Sequence, residues 1–234
     1  MTRVFGLILV AAMGLAGCAP MVMTPPQQMT VPASAPQSAR DAARNFVQVV
    51  ETVEPVAERE CRRMAPSANC DFQIVVDDRP GQPPNAFQTL DAQGQPIVAF
   101  NLALIAEARN VDELAFVMGH EAAHHIAGHI ARQRQAAAAG AVVFAGLAAL
   151  TGADEGGVRA AQDLGAAVGA RSYSKEFELE ADRIGTVIAK RAGYDPVRGA
   201  AFFTRIPDPG NRFLGTHPPN AQRIQIVRDT AARL

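Results

Sequence analysis

The chain has no tryptophan, two tyrosines and only 6% aromatic residues, while alanine is plentiful. So few large flat side chains disfavour a broad sandwich or barrel and favour closely packed helices. Neither sign of charge is in excess. A formal net charge of -1 gives no reason to expect nucleic acid or an anionic membrane surface as the main partner. Apolar runs are short as well. Residues 4–13 and 136–150 would reach about 15 and 22 Å as helices, against roughly 30 Å of bilayer hydrocarbon.

Cysteine is scarce, at three residues, and each position is informative. Arg3 followed by the apolar run 4–13 has the form of an export signal. It ends in Leu15-Ala16-Gly17-Cys18, which resembles the lipobox of bacterial lipoproteins, where cleavage precedes a cysteine that is then acylated. Residues 1–17 therefore read as a lipoprotein signal peptide and residues 18–40 as the lipidated Cys18 with a Pro/Gln/Ser-rich tether. Ala19 rather than Asp after the cysteine points to the outer membrane and a periplasmic body. The remaining pair, Cys61 and Cys70, is expected to be a disulfide in an oxidising compartment.

Residues 41–234 have material for one domain of ordinary size, with no internal repeat. Phe46, Val49, Val50 and Val53 recur at helical spacing, so a helix is expected from Asp41 towards Arg63, with a possible kink at Pro55. Residues 72–76 and 97–100 read as short strands, the second entered through a turn at 91–94. Asn110 with Glu113 forms a candidate capping box for a helix expected to continue at least to His129. Another helix spans 174–191 and stops at Gly193; Asp195 and Pro196 open the next, and a last one begins near Pro219. The 136–170 region reads as a helical hairpin packed on the domain, or else as a mobile or membrane-touching lid.

The chemistry centres on His120-Glu121-Ala122-Ala123-His124. Residues four apart on a helix differ by about 40°, so both imidazoles leave one face and can grip one zinc. Glu121 beside them can take a proton from a water activated there. His125 and His129 point elsewhere on an uninterrupted helix and read as supporting or packing residues. A third ligand is sought in the 176–182 segment. Phe177, Ala181, Ile184 and Ile188 form its apolar stripe, and Glu178 shares a face with Asp182, whereas Glu176 and Glu180 turn roughly 200° away. Glu178 is thus the candidate ligand and Asp182 the candidate orienter of an imidazole, with Glu176 and Glu180 left as a solvated acidic face.

Beyond this helix pair, several stretches recur in one order: Asn85-Ala86-Phe87, the Glu113-Leu114-Ala115 run into His120, residues 176–185, Ala192 to Pro196, and Thr216-His217-Pro218-Pro219 with Arg223. In this respect the chain resembles the forty-eighth metallopeptidase family from about Val47 to its C-terminus. The resemblance implies an α+β, mostly helical gluzincin domain with a small β-sheet, one zinc per chain and Glu178 as third ligand. It also implies that His217 can approach the metal, blocking the open position or stabilising an oxyanion, and that Arg223 holds the 216–219 loop. Many members carry several transmembrane helices; their absence here argues against prenylated or intramembrane substrates.

The expected function is zinc-dependent endoproteolysis of exported or outer-membrane proteins, with substrate extended along the 97–100 strand. The alternative is a lipoprotein chaperone or assembly factor whose zinc site is structural, or latent behind His217 or the 136–170 hairpin. The expected partners are protein or peptide substrates and, through Cys18, a membrane. Nothing in the sequence supports an oligomer.

Overall fold

The computed structural model describes residues 38–172, 174–208 and 218–234. Cys18, the signal and tether readings up to residue 37, and His217 lie outside the described residues.

Helix α1 (Ala39–Met64) starts at Ser38, whose hydroxyl accepts the Asp41 N–H, and runs without interruption through Pro55. Its apolar residues Phe46, Val49, Val53 and Val56 are buried, as the periodicity predicts. Three strands follow: β1 (Gln73–Asp77), β2 (Ala86–Leu90) and β3 (Pro96–Asn101). Their order is β1-β3-β2, with β3 parallel to β1 and antiparallel to β2.

Strand β2 is absent from the sequence reading, because Phe87 is largely exposed and apolar residues do not alternate cleanly there. Only the turn beyond it betrays it. Asp91 accepts the Gln93 and Gln95 N–H groups, and Gly94 sits at φ +83, closing a β2–β3 hairpin. Asn101 fastens the other end of that hairpin, bonding the Pro83 carbonyl and the Asn85 and Leu104 N–H groups. It thereby caps the short α2 (Leu102–Glu107), which the sequence also did not reveal.

Helix α3 (Val111–Ile126) is capped by Asn110, whose side chain accepts the Glu113 N–H. Glu113 turns back to the Arg109 N–H and pairs doubly with Arg205. The helix does not reach His129 as expected. Gly128 adopts φ +64, a left-handed conformation glycine accepts without strain, and His129 begins a new helix, α4 (His129–Leu150). Helix α5 (Glu155–Ser172) returns along α4 to form the hairpin.

The hairpin packs on itself rather than along the domain. A Cβ on Gly140 would lie 2.1 Å from the Gly165 carbonyl oxygen, so glycine lets the two backbones touch. Only His129 in α4 and Gly165 in α5 are fully buried, while Val142, Val143, Leu147 and Leu150 face outward. No helix among the described residues is long and apolar enough to cross a membrane.

Helix α6 (Ser174–Arg191) ends at Gly193 with φ +89, and Asp195 caps α7 (Pro196–Gly199), as anticipated. A 3-10 turn (Ala200–Thr204) and helix α8 (Asn220–Ala231) complete the described residues. Cys61 and Cys70 form a disulfide between the end of α1 and the segment entering β1. The α+β, mostly helical fold with a small sheet agrees with the expectation.

Candidate metal centre

Helices α3 and α6 cross with their backbones in contact. A Cβ on Gly185 would lie 2.8 Å from the His120 nitrogen, and one on Gly119 would lie 2.9 Å from the Gly185 oxygen. This crossing brings the imidazole face of α3 against the carboxylate face of α6. His120 Nε2 and His124 Nε2 are 3.1 Å apart, and the two Glu178 carboxylate oxygens lie 3.5 Å from the first and 3.4 Å from the second. Ligand atoms about 2.05 Å from a tetrahedral zinc are spaced by about 3.4 Å. The donor set and its spacing therefore fit zinc, leaving a fourth position towards the cavity.

Asp182 is wholly buried beneath this group. Its carboxylate lies 3.0 Å from His120 Nδ1 and receives two 2.7 Å hydrogen bonds from Arg223. A carboxylate on Nδ1 keeps the proton there and leaves the Nε2 lone pair for a cation. Arg223, a candidate supporting residue, grips Asp182, lies 3.8 Å over the Phe203 ring and stands 3.5 Å from Glu178; its expected hold on the 216–219 loop involves residues outside those described. Burial opposes charge on Asp182, but Arg223 and His120 outweigh it and hold the carboxyl below its usual range.

The same balance acts on the imidazoles. Burial disfavours a charged His120, yet Asp182 and Glu178 prevail and push it up to about 10. Burial and the neighbouring His120 push His124 down to about 3. Glu121 lines the same cavity as Gln88; burial pushes its carboxyl above the ordinary range, opposed by His120 and reinforced by Glu178.

The cavity has a volume of about 620 Å³ and includes Ala86, Phe87 and Gln88 of β2 in its wall. The expected substrate strand, 97–100, is the middle strand of the sheet, with both edges already paired. The strand free to take a partner beside Glu121 is β2. Glu180 is also corrected: it is not merely solvated, but contacts His129 at 3.2 Å and accepts from Arg132 at 2.7 Å. His129 in turn faces His124, their Nδ1 atoms 2.9 Å apart. His125 packs on Phe72 and bonds the Asn69 carbonyl, in keeping with a supporting role. Glu176 is exposed, as read from its place on the helix.

A helical domain in which two histidines of an H-E-x-x-H helix and a glutamate of the next core helix converge on one point defines a zincin-type metallopeptidase. The chain belongs to peptidase family M48: the family profile matches residues 44–231. It is similar to the Beta-barrel assembly-enhancing protease of Escherichia coli (strain K12), 31% identical over 159 residues, covering 58% of this chain and 31% of that protein. A Vibrio cholerae serotype O1 protein whose name contains the same words is 34% identical over 147 residues, covering 57% of this chain and 30% of that protein. The Yersinia pestis Beta-barrel assembly-enhancing protease is 29% identical over 150 residues, covering 58% and 31%. The chain spans less than a third of the length of these relatives.

Proposed function

We propose that this protein is a zinc-dependent endopeptidase that cleaves misfolded or misassembled exported and outer-membrane proteins, working in the periplasm and held to the outer membrane by a lipid on Cys18. The observation that carries the catalytic part is the placement of Glu121 in one cavity with the three donor atoms, since a purely structural metal site needs no general base. The names of the similar proteins, which refer to β-barrel assembly, support substrates among β-barrel proteins.

His120, His124 and Glu178 would hold the metal, with Asp182 fixing the His120 proton and Arg223 fixing Asp182. Zinc, when bound, supplies a Lewis acid that polarises the scissile carbonyl and acidifies water. Glu121 takes the proton of the attacking water and returns it to the leaving nitrogen. Glu121 shares the cavity wall with Ala86 and Gln88 of the β2 edge. Because outward-facing backbone groups alternate along a strand, Ala86 and Gln88 carry those that face the cavity, and substrate pairs with them in extended form.

The test is zinc content and casein cleavage by the full chain, compared with Glu121→Gln. About one zinc in both, with cleavage lowered on the order of 10² to 10⁴-fold in the variant, is expected. Undiminished cleavage by Glu121→Gln, or folded wild type without zinc, overturns the assignment. For the pose, Ala86→Pro removes an outward N–H without removing a ladder bond, so kcat/KM is expected to fall about tenfold with folding intact. Unchanged kinetics would move substrate off β2.

A further inference from the structure

We propose that His129, backed by Glu180, is the positioning residue that fixes the ring and the proton of His124. This rests on the reading of His120, His124 and Glu178 as zinc ligands. A neutral imidazole carries one N–H. The Nε2 of His124 faces His120 and Glu178, at 3.1 and 3.4 Å, so its proton belongs on Nδ1. That atom lies 2.9 Å from the Nδ1 of His129. The contact closes as a hydrogen bond when His129 offers a lone pair there, which puts the His129 proton on Nε2. Nε2 lies 3.2 Å from a Glu180 carboxylate oxygen, and Arg132 donates to the same oxygen at 2.7 Å. Every proton in the chain from Glu180 to His124 is thereby assigned.

Three elements build this relay. Gly128 ends α3 in a left-handed turn, which swings the first residue of α4 back over the ligand instead of round the far side of one long helix. His129 is 4% exposed and stacks on Phe177 with ring centroids 4.5 Å apart and planes at 12°. Arg132 covers the other part of the same pocket, 4.3 Å over the Phe177 ring. His120 is oriented by a carboxylate and His124 by an imidazole that itself leans on one. The root of the α4–α5 hairpin is thus joined to a metal ligand.

Packing and positioning predict opposite orders for two substitutions. Phenylalanine keeps the stack on Phe177 but offers no acceptor. Asparagine loses the stack but places a carbonyl oxygen near the position of Nδ1. Zinc affinity of the full chain is measured at one pH by competition with a chromophoric chelator, and folding of each metal-free variant by circular dichroism. His129→Phe is expected to bind zinc on the order of 10 to 100-fold more weakly, and His129→Asn, which keeps an acceptor at Nδ1 but loses the link to Glu180, only several-fold more weakly. Glu180→Ala, at a half-exposed position, is expected to weaken binding several-fold with the fold intact. Wild-type affinity in His129→Phe, or weaker binding by His129→Asn than by His129→Phe, overturns the proposal. If His129→Phe fails to fold, unchanged affinity in Glu180→Ala overturns it. A folded wild type that binds no zinc would instead remove the metal-site reading, and the relay with it.

Discussion

At Glu60 a carboxylate on the buried side of α1 meets Arg63 one turn along and Arg191 at the end of α6. Burial alone would raise its carboxyl, but the two guanidinium groups outweigh burial and hold it below the ordinary value. Folding therefore favours the charged form, and the stabilisation is complete above the unfolded value and lost as pH falls through the lowered one. Both arginines are about half exposed, which limits the contribution. Glu60→Gln is expected to cost about 1 to 2 kcal/mol at pH 7, with the gap to wild type shrinking below about pH 4. Urea unfolding at several pH values checks this, and a gap that persists at low pH would assign the effect to packing. Arg63 was reachable from the i,i+3 spacing, whereas Arg191 lies 131 residues from Glu60 and no local pattern announces it.

Elements meet here through glycine. The α3–α6 crossing at Gly119 and Gly185 decides how far Glu178 and Asp182 stand from the two imidazoles, because it is the point of closest approach beside His120. Gly185→Ala would drive a methyl into backbone, so a loss of about 1 to 3 kcal/mol is expected together with weaker zinc binding. Gly146, on the open side of α4 with nothing within 4 Å, is the control: Gly146→Ala is expected to stabilise by about 0.5 to 1 kcal/mol and leave zinc binding unchanged. Thermal midpoints and chelator competition on the two variants distinguish a helix-propensity effect from a crossing effect. The wheel that separated Glu178 from Glu180 worked because both lie on one regular helix. The same reasoning misplaced His129, because it assumed a helix continuing through Gly128.

For the whole molecule, the bond between Cys61 and Cys70 ties α1 to the sheet across a separation of nine residues. Closing so short a loop is worth about 2 to 3 kcal/mol in the chain-entropy account. The double variant Cys61→Ser with Cys70→Ser is expected to lose that amount in urea unfolding, and wild type in reductant the same amount. A loss in the variant but none in reductant would mean the thiols are unpaired in the purified protein. The candidate metal residues His120, His124 and Glu178 sit on α3 and α6, neither of which carries Cys61 or Cys70, so zinc stoichiometry is expected to survive the substitution.

What the chain determined locally was its helices with their caps, the two imidazoles on one face, the choice of Glu178 with Asp182, and the mostly helical class. Each follows from 100° per residue, from a side chain beside its own backbone, or from composition, and so is written within a few turns. Only the tertiary structure decided that β2 is the free edge beside Glu121, that Arg223 clasps Asp182, and that His129 with Glu180 stands behind His124. Those relations depend on which helices touch, on how closely glycine lets them cross, and on a left-handed turn that redirects the chain. Such contacts join residues up to 103 positions apart at the metal cluster, and no periodicity within one element can encode them.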